Sequence, residues 1–319
     1  MRTELSDEAL EYGRLAQRAL EAVGGDRLAQ DAEAAPDHRG DAVVPVLDEL
    51  GAWDLAPRSS PDELEAAAAL CRAAGWWAVP YPVAERLGRP TDDGPGTADG
   101  LLVIADDGPA GPIAGLDGRW VAVTLDGRRS RVTPLPPTSP PRKSAFVTSL
   151  ALEPLDDRDA DGTADVALGL TLPCWTLLGM LDRAIELTRA HVNEREQFGQ
   201  PLASFQGVQF QLTDAEVERA GVEELAKYAL WSLLTRPDDA LADALALRLA
   251  ALEAAEVVFR VTHQLHGAIG FCDETTLSWI SRASQPLRRL PLGLSATRDE
   301  LTRHSGRRGL SGLFDPVTA

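Results

Sequence analysis

Apolar positions along the 319-residue chain fall into two regions of helical period separated by a stretch of short alternating runs. From Leu5 to about Leu87 the period is helical. Leu10, Leu15, Leu20 and Val23 lie on one broad stripe behind Ser6, whose hydroxyl is placed to cap the first turn. A further segment begins near Asp41 and another at Pro61. In the latter, Ser60 is the expected N-cap, Pro61 the first helical residue, Asp62 and Glu63 occupy the first turn, and Gly75 is expected just past the end. Its alanine-rich body predicts close approach to a neighbouring helix.

Between about Gly88 and Asp156 the texture changes to the runs "LLVIA", "RWVAVTL" and "SRVTPL", divided by "DDG", "LDG" and a proline-rich stretch, which reads as a small β unit. From about Asp165 to Leu301 helical periodicity returns. One helix is expected from near Cys174 to Asn193, with Leu177, Leu178, Leu181 and Ile185 on its apolar side. A second is expected over about Phe205 to Leu234, and a third over about Ala240 to Leu265. The expected fold is mainly α. It comprises an N-terminal helical domain over 1–88, a small β domain over 89–157 and a C-terminal four-helix-bundle domain over 158–319, an organisation that suits a chain too long for a single core.

Charge narrows the partners. With 31 Lys and Arg against 49 Asp and Glu, the formal net charge of −18 opposes nucleic acid and anionic membranes. Cys71, Cys174 and Cys272 are odd in number and widely spaced, which argues against a disulfide framework or a zinc site and for a reducing, cytoplasmic setting. The polar N-terminus predicts no signal peptide, and no apolar run is expected to reach transmembrane length.

Candidate chemistry concentrates in "EREQFGQPLASFQGVQ", residues 194–209, which sets Arg195 among four glutamines and two phenylalanines. An arginine fork suits a pyrophosphate, and aromatic rings with amides suit a planar heterocycle. This segment, followed at bundle distance by "THQLHGAIGFCDETTLSWISR" and preceded by "LDRAIELTRAHVN", resembles the C-terminal helical domain of the acyl-CoA dehydrogenases. "LDELGAWDL" and "AAALCRAAGWWAVPYPVAERL" extend the resemblance to the N-terminal helices. The resemblance implies a flavoprotein fold in which the Arg-x-x-Phe-Gly and Gln-x-x-Gly segments reach an FAD held mainly by a neighbouring subunit. The positions it implies as cofactor-binding are Arg195, Gln197, Phe198, Phe205, Gln206, Gln264, Gly267 and Ala268, the last standing where the family has a second glycine.

Other parts of the family pattern are missing. The Thr-Glu-Pro type loop and Trp-Ile-Thr/Ser type strand that cover a chain's own flavin have no match. Of the two family locations for the catalytic carboxylate, one falls at Pro291, Leu292 and Gly293 and the other near Gly169. The resemblance is therefore closest to the smaller, non-catalytic chain of heterotetrameric acyl-CoA dehydrogenases that act on bulky thioesters of the steroid side-chain type. It implies no catalytic residue on this chain, FAD shared with a catalytic partner subunit, and electron-transfer flavoprotein as electron acceptor. Two alternatives stay open: a flavin-free binding protein on the same scaffold, and a self-sufficient enzyme with Asp299 or Glu300 as base, although "TRDELTR" reads more simply as a charged turn with Glu300 supporting His304.

Lesser motifs have plainer readings. Glu194, Glu196, Glu253, Glu256 and Glu274 read as surface groups. His263 and His266 read as a satisfied polar pair, and Trp76 and Trp77 as packing. "GPGTADG", with Gly94, Gly96 and Gly100, lacks the helix a dinucleotide fingerprint needs.

Overall fold

The computed structural model describes residues 4–90, 98–112, 118–134, 147–155 and 162–308. The N-terminal region holds α1 (Asp7–Ala22), α2 (Leu28–Ala34), α3 (Val44–Glu49), α4 (Pro61–Trp76) and α5 (Val83–Leu87). The expected caps form: Ser6 Oγ accepts from the Ala9 N–H and Ser60 Oγ from the Glu63 N–H, both at 3.3 Å. Gly75 does not end α4 but lies inside it. A Cβ at Gly75 would stand 1.9 Å from the Thr176 carbonyl oxygen, and one at Gly179 would stand 2.0 Å from that of Arg72. These glycines are where α4 interlocks with the long helix of the C-terminal region, the close approach that the alanine-rich sequence predicts.

The middle region forms one mixed sheet. β1 (Gly100–Ile104), β2 (Ala110–Gly111), β3 (Trp120–Thr124), β4 (Arg129–Pro134) and β5 (Thr148–Pro154) are ordered β1-β3-β4-β5-β2. β1 and β3 pair in parallel and the other pairs are antiparallel. Gly100 opens β1 with Trp120 lying across it, while Gly94 and Gly96 lie outside the described residues, as does most of the proline-rich stretch.

The C-terminal region begins with α6 (Thr163–Glu194), which starts a full three turns before the expected position near Cys174. Pro173 sits inside this helix, and a proline within a helical pattern reads from sequence as a boundary. Contrary to expectation, α6 is long and apolar enough to cross a membrane by length and composition. However, 78% of its most apolar window is buried within the fold, as in a core helix.

A two-residue-per-strand hairpin follows, β6 (Glu196–Gln197) and β7 (Gln200–Pro201). Then come α7 (Gln206–Thr235), α8 (Ala240–His266), a 3₁₀ turn over Gly267–Phe271, α9 (Thr276–Ala283), α10 (Gln285–Arg289) and α11 (Leu294–Arg308).

One apolar cluster runs from Ala16 through Leu70, Trp175 and Leu178 to Phe259 and Ile280, joining N-terminal and C-terminal helices. A second sets Leu101, Val121 and Val123 of the sheet against Val166, Leu170, Leu241 and Leu245 of α6 and α8. The sheet therefore packs directly on the first turns of α6. Trp76 and Trp77 pack edge to face beneath the Arg183 guanidinium, and the Trp77 indole donates to the Gln17 carbonyl at 2.8 Å.

Candidate functional site

The hairpin after α6 is built outward from its backbone. The Arg195 N–H donates to the His191 carbonyl and the Leu202 N–H to the Arg195 carbonyl, each at 2.8 Å, so the helix end and the returning strand both hold Arg195 in place. Phe198 and Gly199 make the turn with φ of 53° and 78°. Two consecutive left-handed residues give the turn type that matches strand twist in two-residue hairpins, a geometry that favours Asn and Gly and is costly for a bulky side chain. Phe198 is nevertheless there, 91% exposed, with its ring meeting Phe205 edge to face at 6.2 Å. Among the described residues, the Arg195 guanidinium makes no hydrogen bond or ion pair. Arg195, Gln197, Phe198 and Gln206 are all exposed, and Phe205 is half-buried.

The second predicted segment lies at the end of α8. Gln264 is exposed, and Gly267 ends the helix at φ 66°, ψ −148°, a conformation open essentially to glycine alone. No atom stands within 4 Å of where its Cβ would be, so the backbone is open to close approach. Ala268 follows in the 3₁₀ turn, exposed and without positive φ, so its methyl group introduces no backbone strain where the family has glycine.

Sequence reasoning did not find the residue that joins these segments. His191, one turn before Arg195, stacks on His266 at 4.4 Å with the rings 16° apart. His266 Nδ1 lies 2.9 Å from the Thr262 carbonyl, which can only accept, so Nδ1 carries the proton. The expected His263–His266 pair does not form, because His263 stacks instead on Phe271 at 4.3 Å. Burial lowers all three histidines below their ordinary value. For His191 the Arg195 charge adds to this, and for His266 the neighbouring histidines do. No sequence periodicity signals a contact between two different helix ends.

The two family locations for a base can also be inspected. At Gly169 a Cβ would come within 2.5 Å of Val103 Cγ2, because β1 rests on the helix there. The Leu290–Gly293 segment is fastened by Arg248, 3% exposed, whose guanidinium donates to the carbonyls of Leu290 at 2.6 Å and Leu292 at 2.7 Å. Asp299 is exposed on α11. Glu300 pairs with Arg303, and Arg298 pairs with Glu253 at 2.8 Å. Glu194, Glu196, Glu256 and Glu274 are exposed.

A further feature was also invisible in the sequence. Between α1, α4, α6 and α7 lies an open cavity of about 660 Å³, whose floor includes Arg72, Asp182, Arg219 and Glu223. Arg72 reaches Asp182 at 2.6 Å and Glu223 at 2.7 Å, and Arg219 reaches the same two carboxylates. Burial opposes ionisation of Glu223, yet the bonds and charges of Arg72 and Arg219 hold it down to about 2. None of the predicted cofactor residues lines this cavity.

Residues 171–291 match the family model of the acyl-CoA dehydrogenase C-terminal domain. Acyl-CoA dehydrogenase FadE28 of Mycobacterium tuberculosis is 30% identical over 179 residues, 54% of this chain and 48% of its own length, so the chain matches about half of that relative. Among solved structures, a chain of the ChsE4–ChsE5 complex from Mycobacterium tuberculosis superposes with a TM-score of 0.75 at 18% identity, covering 98% of this chain and 100% of that one. The Tcur3481–Tcur3483 steroid ACAD G363A variant gives 0.70 at 19% identity, covering 96% and 99%. The chain therefore has the acyl-CoA dehydrogenase fold, and its residues 171–291 match the C-terminal domain of that family.

Proposed function

We propose that this chain is the companion subunit of a heteromeric FAD-dependent acyl-CoA dehydrogenase, completing a flavin site held mainly by a catalytic partner chain. The observation that carries the reading is the outward presentation of the site. Arg195, Gln197, Phe198, Gln206, Gln264, Gly267 and Ala268 are all exposed, and the arginine has no partner of its own among the described residues. A bulky aromatic held in a left-handed turn at the tip of a hairpin is a local cost that a ligand or partner contact offsets.

The donor set fits a flavin dinucleotide. Arg195 supplies a two-pronged, charge-assisted donor for a pyrophosphate, Phe198 and Phe205 supply apolar edges, and Gln197, Gln206 and Gln264 supply amide groups for ring or ribose polar atoms. Gly267 admits backbone contact. When bound, the flavin supplies the acceptor for the substrate's β-hydride. This chain's residues bind and orient it and keep water from its edge.

In this reading the carboxylate that removes the α-proton belongs to the partner. Leucine carbonyls fastened to Arg248 occupy one family position for the base, and the close contact with Val103 stands at the other. The pairing of Glu300 with Arg303 speaks against the self-sufficient alternative. The fold likeness to a steroid ACAD supports a bulky acyl-CoA thioester as substrate, and in this reading electron-transfer flavoprotein is the acceptor of the assembly.

The test is flavin content of the purified two-chain complex with Arg195→Ala. The expected result is an unchanged assembly that has lost most of its FAD, and full retention of FAD contradicts the assignment.

A further inference from the structure

The open cavity between α1, α4, α6 and α7 is built into the helix frame. Part of its wall consists of small residues, Gly13 on α1 with Ala69 and Ala73 on α4. A Cβ at Gly13 would stand 3.1 Å from that of Ala69, so the two helices meet closely there and bring no bulk into the space beside them. The floor keeps that space open. Arg72 on α4 reaches Asp182 on α6 and Glu223 on α7, which ties three helices at fixed spacing around a volume of about 660 Å³. Pockets of about 300–1,000 Å³ take small molecules.

Charge and polarity select the ligand. Four arginines and four carboxylates line the cavity, and each of these carboxylates is paired with an arginine of the same lining. Besides the floor cluster, Arg219 holds Glu216 at 2.8 Å and Arg189 holds Glu186 at 3.0 Å. A ligand with a net charge would give up hydration here for no net Coulomb attraction. Above the floor, Leu10, Trp76, Ile185 and Leu212 make the walls apolar, and Leu10 is 36% exposed. One uncharged polar side chain stands among them. Gln17 is half-buried, and its amide makes no hydrogen bond among the described residues, so it offers a donor and an acceptor together.

We infer that this cavity binds an uncharged amphiphile, a molecule with an apolar body and a hydroxyl or amide end that exchanges hydrogen bonds with Gln17. None of the proposed flavin contacts lines the cavity, so the test needs no flavin and stands apart from the companion-subunit reading.

Octan-1-ol, octanoate and octylammonium share one alkyl chain and differ in the charge of the head. Calorimetric titration of the full-length chain near neutral pH should show saturable binding of octan-1-ol, with both ions weaker by about tenfold or more. Leu212→Trp, which puts an indole into the cavity, should abolish the binding. Gln17→Leu, which keeps the volume and removes the amide, should weaken octan-1-ol by about tenfold. Thermal melting confirms that each variant is folded, and Gln17→Leu decides alone if the tryptophan is not tolerated. Three results would overturn the proposal: no saturable binding of octan-1-ol, an ion that binds as tightly as the alcohol, or unchanged affinity in a folded variant.

Discussion

His191 on α6 and His266 on α8 stack at 4.4 Å, and this contact fixes the end of the helix that carries Arg195 against the end of the helix that carries Gln264. The two proposed cofactor segments are thus two arms with one aromatic joint. The joint is built from neutral rings, and protonating both would place two cations face to face beside Arg195.

Acid should loosen that joint. Both folded-state values lie below the ordinary histidine value, so the unfolded chain takes up protons that the native chain refuses. The contribution is complete above about pH 6.5 and is lost as pH falls through the depressed folded values. Melting temperature should fall between about pH 7.5 and 5.5, and the fall should be smaller in a His191→Gln/His266→Gln variant. Equal slopes for the two proteins would remove the histidines from the account.

Arg72→Ala should be severely destabilising. It leaves Asp182 and Glu223 half-buried or deeper, with Arg219 as the remaining counter-charge, and removing one partner of such a cluster costs about 3–5 kcal/mol. Because Arg72 contributes to holding Glu223 down to about 2, part of the native chain's stability should disappear as pH falls below the ordinary glutamate value, and the variant should show a shallower acid limb. Urea titrations at several pH values measure both.

Gly179→Ala and Gly75→Ala should each force α4 and α6 apart, because the new methyl meets a backbone carbonyl that has no rotamer to yield. The expected loss is ~3 kcal/mol for each. Gly221→Ala, with open space around it, should instead stabilise α7 by up to about 1 kcal/mol. The same denaturant midpoints report all three, and similar values for the three would contradict the interlock.

Phe198→Gly separates folding from function at the hairpin. Removing a non-glycine residue from φ 53° should raise stability by about 1 kcal/mol, while the two-chain complex loses flavin affinity. A variant that is more stable and holds flavin as well as the native complex would make Phe198 a bystander.

Local chemistry carried much of this fold into view. Ser6 and Ser60 cap the helices they are placed to cap, and the apolar runs around Leu102, Val121 and Val132 become strands. Pro173 hid the first turns of α6 because its local meaning is a boundary, whereas packing against α4, α8 and the sheet keeps the helix continuous. β5, written "TSLALEP", lacks the β-branched runs that mark strands and is made by pairing with β4. At the proposed site, Arg195 and Gln264 are named only by the resemblance to the acyl-CoA dehydrogenases. The left-handed Phe198 runs against residue preference, and the His191 joint depends on a second helix, so neither leaves a local trace.

The central claim is that this chain presents flavin contacts to another chain and does not hold a flavin by itself. The most direct measurement is the visible absorbance spectrum of the chain expressed alone and then with a candidate catalytic acyl-CoA dehydrogenase chain. The account predicts a colourless protein alone and a yellow complex with stoichiometric FAD. A yellow protein from the single chain would contradict it and would return attention to Asp299 and Glu300 as the base.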